Sequence, residues 1–138
     1  MKRIAVALMA VAAPAAAQVA PMSFDAGKSL PLAAGQWSYA ATATGGEARY
    51  GGYLMLQCDR ATRTITVTRP GAPIAALTIA TDTMARALPP NGRLSAYDPL
   101  LDAIAFSRGR VVISGGTGAA LAVPSWPEAA RAIEDCRN

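Results

Sequence analysis

Tyr53-Leu54-Met55-Leu56-Gln57-Cys58 and Thr64-Ile65-Thr66-Val67-Thr68 are the two stretches whose reading decides the fold. Both alternate. Leu54, Leu56 and Cys58 share one face of the first, and Ile65 and Val67 share one face of the second, with threonines opposite. A period of two places successive side chains on opposite faces of a sheet. The polar segment Asp59 to Arg63 joins the runs, so together they predict a β-hairpin with Cys58 turned into a core.

The same reading extends outward. Gln36-Trp37-Ser38-Tyr39 is a short alternating first strand, and Gly45-Gly46 and Gly51-Gly52 punctuate the chain between it and the hairpin. Pro70-Gly71-Ala72-Pro73 ends the hairpin. Residues 76–81 form a third strand and residues 83–88 a fourth, closed by Pro89-Pro90-Asn91-Gly92. Asp98-Pro99 is a helix start, with Asp as N-cap and Pro at the first helical position. A short helix near 99–106 comes next, with a strand over 103–106 as the competing assignment. Arg110 to Ser114 is a strand, Gly115-Gly116-Thr117-Gly118 a turn, and Ala120 to Val123 its partner strand. Ser125-Trp126-Pro127-Glu128 has the form of a capping box. It opens a C-terminal helix near 126–135, on which Ala129, Ile133 and Cys136 share a face and Trp126 is expected to anchor the core. The fold class is mainly β: a small antiparallel β-sandwich or barrel with two helices. Connections this short leave no room for βαβ crossovers.

The start of the chain reads differently. Met1-Lys2-Arg3, an apolar run from Ile4 to Ala13, Pro14 and then Ala15-Ala16-Ala17 make a basic, apolar and small-residue series, the form of a cleaved signal peptide over 1–17. The run is shorter than the ~20 residues that span a bilayer, so no integral membrane segment is expected after cleavage. Residues 18–35, rich in Ala, Pro, Gly and Ser, are expected as a flexible leader, and 36–138 as a single β-rich domain. Loss of residues 1–17 removes Lys2 and Arg3 and lowers the formal charge from +4 to +2. That balance argues against a nucleic-acid partner. The chain is read as periplasmic or secreted.

Export gives the cysteines their meaning. Cys58 and Cys136 are the only two, and an even count in an exported chain reads as a disulfide. Strand alternation turns Cys58 inward, and helical spacing separately turns Cys136 inward. A bridge over 78 residues stabilises by up to ~4.5 kcal/mol in the chain-entropy treatment. Redox catalysis is not indicated, because there is no C-x-x-C spacing.

The composition excludes much chemistry. The chain of 138 residues has no histidine, so histidine-dependent triads, histidine-ligated zinc and histidine-ligated haem are excluded. Gly115-Gly116-Thr117-Gly118 lacks the Gly-Lys-Ser/Thr ending of a phosphate loop. No dense oxygen-donor run suggests calcium. Ser107-Arg108-Gly109-Arg110 could meet an anion but reads better as a helix end. Arg60, Arg63 and Arg69 are expected to be solvated. Trp37, Trp126 and Tyr97 are too scattered for a stacking platform. No catalytic, cofactor-binding or metal residues are assigned, and no cofactor is expected.

The tryptophan-led first strand, Cys58 in the next hairpin, "GRVVISGG" at 109–116 and "LAVPSWPEAARAIEDC" at 121–136 together resemble the invasion-associated locus B family. They also resemble periplasmic type VI secretion-associated sandwich proteins. The resemblance runs over residues 36–138 and departs in having a single cysteine pair. It implies a small disulfide-bonded β-sandwich without established catalytic residues, acting at the cell envelope or a host interface. The expectation is therefore a non-enzymatic cell-envelope protein that binds an envelope or host protein or serves a structural role. The competing expectation is a small periplasmic hydrolase using acidic residues only, with Asp98, Asp102 or Asp82 as candidates.

Overall fold

A computed structural model describes residues 10–12, 21–71, 77–115 and 118–138. The expected signal peptide lies outside the described residues except for 10–12, as do the start of the leader and the centre of the 115–118 turn.

Among the described residues nine strands form two antiparallel sheets that share one hydrophobic core, the arrangement of a β-sandwich. The first four are β1 (Trp37–Ala41), β2 (Gly46–Tyr50), β3 (Leu54–Asp59) and β4 (Thr64–Thr68). They run as a meander. The chain then crosses to the second sheet for the hairpin of β5 (Leu77–Ala80) and β6 (Ala85–Ala87). It returns for β7 (Arg93–Ser95), which completes the five-stranded sheet β1-β2-β3-β4-β7. Helix α2 (Pro99–Phe106) leads to β8 (Arg110–Gly115) and β9 (Leu121–Pro124), giving the four-stranded sheet β6-β5-β8-β9. Helix α3 (Pro127–Arg137) closes the core. A short helix, α1 (Phe24–Gly27), precedes the sheets.

The decisive hairpin has the expected register, with Cys58 opposite Ile65 and Leu56 opposite Val67. All four are buried, while Gln57 points outward. Arg63, with φ of 49°, closes the turn, and Ala61 N donates to Asp59 Oδ1 at 3.1 Å. Asp98 caps α2 as expected, accepting from Leu100 N at 2.8 Å. Residues 103–106 are therefore helical.

Four features depart from the sequence expectations. Glycine punctuation conceals β2, in which only Ala48 and Tyr50 place side chains in the core. β7 is too short to show alternation, with Leu94 its one buried residue. The capping box does not form: Trp126 is the N-cap of α3 and makes no side-chain cap bond, while Ser125 Oγ and Glu128 Oε2 have no hydrogen-bond partner. Trp126 is 50% exposed, so it does not anchor the core. That role belongs to Trp37, which is buried against Tyr50 and donates through Nε1 to Pro124 O at 2.7 Å.

The described part of the leader, residues 21–35, is tied to the second sheet. Met22 N donates to Ser114 Oγ, Ala33 N to Ala122 O, and Arg110 Nη1 to the carbonyls of Gly27 and Leu30. Gly27 sits where a Cβ would come within 2.3 Å of Val112 Cγ2. Alternate residues on that side of the sheet, Ala80, Val112, Ser114 and Ala122, are almost completely buried. The other side faces the core through Ile79, Val111, Ile113 and Val123.

Candidate functional site

Cys58 and Cys136 form a disulfide with Cα atoms 5.5 Å apart, and both residues are buried. The bridge fastens α3 to β3 at the inner face of the five-stranded sheet. Around it the last turn of α3 is held by polar contacts. The Tyr39 hydroxyl donates to Asp135 Oδ2, and Arg131 lies 3.9 Å over the Tyr39 ring. Arg137 Nε donates to Ala96 O at 2.8 Å, and its Nη2 is 2.9 Å from Asp102 Oδ1. Tyr97 Oη and Arg63 Nη1 both donate to Arg137 O. Hydrogen bonding to the Asp135 carboxylate, reinforced by burial, raises the Tyr39 hydroxyl above its ordinary pKa.

This arrangement alters the reading of the arginines. Arg60 reaches Asp135 O, Arg63 reaches Tyr97 and Arg137 O, and Arg69 reaches Ala119 O. Arg60 and Arg63 are exposed and Arg69 half-buried, and all three cross between elements and satisfy carbonyls. Within Ser107-Arg108-Gly109-Arg110, Ser107 Oγ donates to Arg110 O, and Arg110 holds the leader. Every one of these arginine contacts spans more than thirty residues of sequence, so no local pattern announces it.

The candidate acids are each paired with a different arginine. Asp98 Oδ1 accepts from Leu100 N and lies 2.6 Å from Arg86 Nη2. Asp102 pairs with Arg137, and Asp82 Oδ2 is 3.5 Å from Arg108 Nε. Each carboxylate has its own guanidinium. Among the described residues no group of three or more Cys, Asp or Glu side chains is placed to hold a metal ion.

Two hollows remain. One, of about 410 Å³, is mainly apolar and lies beside α2, lined by Thr83, Met84, Pro99, Asp102, Ala103 and the exposed Phe106. The other, of about 230 Å³, is lined in part by Thr42, Thr44, Glu47, Gln57, Asp59 and Thr66. It belongs to the outer face of the five-stranded sheet. There the register sets Ala40, Glu47, Gln57, Thr66 and Arg93 side by side across all five strands. Gln57 Nε2 donates to Glu47 Oε2 at 2.9 Å, and Arg49 pairs with Glu47 at 3.2 Å. Amide, carboxylate, hydroxyl and guanidinium groups thus stand in one row on a rigid sheet. Such a face can form directed hydrogen bonds with a partner. Sequence alternation marks its threonines as outward, but the cross-strand row depends on β2 and β7, which alternation does not reveal.

Fold and site together define a disulfide-bonded antiparallel β-sandwich with one open polar sheet face. No family model, no curated protein and no solved structure matches the chain.

Proposed function

We infer that the protein is an exported, non-enzymatic cell-envelope protein that binds another protein through the open face of its five-stranded sheet. The observation that carries this reading is the separate use of Asp82, Asp98 and Asp102. Each pairs with a different arginine, and Asp98 also caps a helix. General acid–base chemistry on two carboxylates needs them at one reacting centre, in environments that separate their pKa values. The buried disulfide supports the compartment, since such bonds persist where the surroundings are oxidising. The N-terminal basic and apolar series supports the export route, and the resemblance of residues 36–138 to exported sandwich proteins points the same way.

The hydrolase reading has one feature in its favour: Asp102 lines the larger hollow. Its carboxylate is nevertheless held by Arg137, and Asp98 is committed to Arg86 and Leu100 N.

The test is photo-crosslinking in intact cells from Gln57 and Thr66, with Arg108 as a control position remote from that face. The expected result is a discrete adduct to one envelope protein from Gln57 and Thr66 but not from Arg108, in a periplasmic or extracellular fraction. Cytoplasmic protein with free thiols would sink the export reading. Export without adducts from either sheet position would sink the binding surface.

A further inference from the structure

The sandwich has four strand edges, and they are not protected alike. β6 and β7 are three residues long and carry Arg86 and Arg93. Short length and charge are standard protections against edge-to-edge pairing. β9 is covered by the leader: Leu32 bridges Ala122 in parallel, Ala33 N donates to Ala122 O at 2.8 Å, and Pro124 ends the strand. β1 has none of these devices. It is five residues, Trp37-Ser38-Tyr39-Ala40-Ala41, without charge, proline or bulge.

The phase of β1 is set by its hydrogen bonds to β2. Gly51 N donates to Gln36 O, and Thr42 N donates to Gly45 O. With Ser38 opposite Arg49 and Ala40 opposite Glu47, the even-numbered residues are the ones that exchange bonds with β2. The N–H and C=O groups of Trp37, Tyr39 and Ala41 therefore point away from β2. Among the described residues none of these groups has a backbone hydrogen-bond partner.

We propose that this edge pairs with β1 of a second copy of the chain, antiparallel about a two-fold axis at Tyr39, joining two five-stranded sheets into one. The strand is its own complement. In that register Tyr39 faces Tyr39 of the partner subunit, and Trp37 faces Ala41 of the partner subunit. These are the residues whose backbone groups point outward, so both of these pairings are hydrogen-bonded pairs. Between them Ser38 meets Ala40 of the partner subunit, two small side chains on an exposed face. The uncharged strand brings no repulsion to the seam. A foreign strand added to an edge usually gains its specificity from side-chain pockets beside that edge. Neither of the two hollows described above is lined by a residue of β1 itself, and the smaller reaches only Thr42 beyond its end.

The experiment is sedimentation velocity of the oxidised chain over a range of concentrations, with two double variants on β1. S38E/A40E sets glutamate against glutamate across the axis. S38E/A40K sets glutamate against lysine there, and within the chain it places Glu opposite Arg49 and Lys opposite Glu47. Like charges directly opposed weaken strand pairing, and opposite charges support it. The parent and S38E/A40K should dimerise. S38E/A40E should stay monomeric, or dimerise with a Kd raised roughly tenfold or more. Thermal melts of the variants establish that each is folded. A third variant, Ala41→Pro, removes one outward N–H not used within the chain and should also weaken the dimer. A parent that is monomeric throughout, a dimer indifferent to S38E/A40E, or equal loss in both double variants would overturn the proposal.

Discussion

The two sheets solve the same problem by different means. Each has a core face that must be buried. The four-stranded sheet is buried on both sides, by the core on one and by residues of the leader on the other. The five-stranded sheet is buried on one side only, where α3 and the disulfide cover β1 to β4, and its other face is polar and open. Burial of both faces tolerates runs such as Val111-Val112-Ile113, whereas a half-buried sheet requires alternation. In this chain the covalent staple thus serves the sheet built first in sequence, and shape complementarity serves the other.

Removing the staple should produce the largest effect. Cys58→Ala with Cys136→Ala is expected to cost about 4 kcal/mol in denaturant unfolding, set by the 78-residue loop. Loss of hydrogen-exchange protection should concentrate in α3 and the inner face of β1 to β3. Equal loosening of β5 and β8 would erase the distinction between the sheets.

The complementary change targets the leader. Gly27→Val forces a branched side chain into Val112 and should cost about 1–3 kcal/mol, with protection lost in β8 and β9 rather than in β3. If stability is unchanged, the leader is not a packed layer. Asp98→Ala removes the cap of α2 and the ion pair to Arg86, which ties α2 to β6. The expected loss is about 1–2 kcal/mol, read by thermal melting.

The smallest effect is pH-dependent. Because its pKa is raised in the fold, Tyr39 contributes stability that is fully present below the unfolded tyrosine value near 10 and is lost as pH rises through the folded value. Tyr39→Phe should lower stability by about 1 kcal/mol at neutral pH and remove part of the alkaline decline. A variant with the parent's alkaline profile would show that the Asp135 contact does not govern it.

Legibility in the sequence tracks which interactions are local. The β3–β4 hairpin is readable because alternation, turn chemistry and cysteine placement agree within one short stretch, 53 to 68. The Asp98 cap and α2 are readable for the same reason. β2 is hidden because Gly46 and Glu47 carry no strand signal, and its identity depends on pairing with β1 and β3. The leader looks flexible because it is rich in Ala, Pro, Gly and Ser, yet a missing side chain at Gly27 is what lets it lie against Val112. Trp126 misleads because its size suggests burial, when the N-cap position beside Pro127 leaves it at the surface. Of the site, the threonine face is legible. The arginine bridges and the row from Ala40 to Arg93 are not, since both depend on contacts distant in sequence.

The disulfide also bears on how the molecule comes into being. On the proposed export route, the polypeptide is delivered across a membrane from its N-terminal end. The β1–β4 meander is complete before Cys136 emerges, so Cys58 spends that interval as a lone thiol beneath an uncovered apolar face. Maturation must then wait for α3 to arrive, however quickly the hairpins zip. Such an interval is when premature association is most dangerous. The rate of release, more than that of strand pairing, would set how much protein reaches its native state.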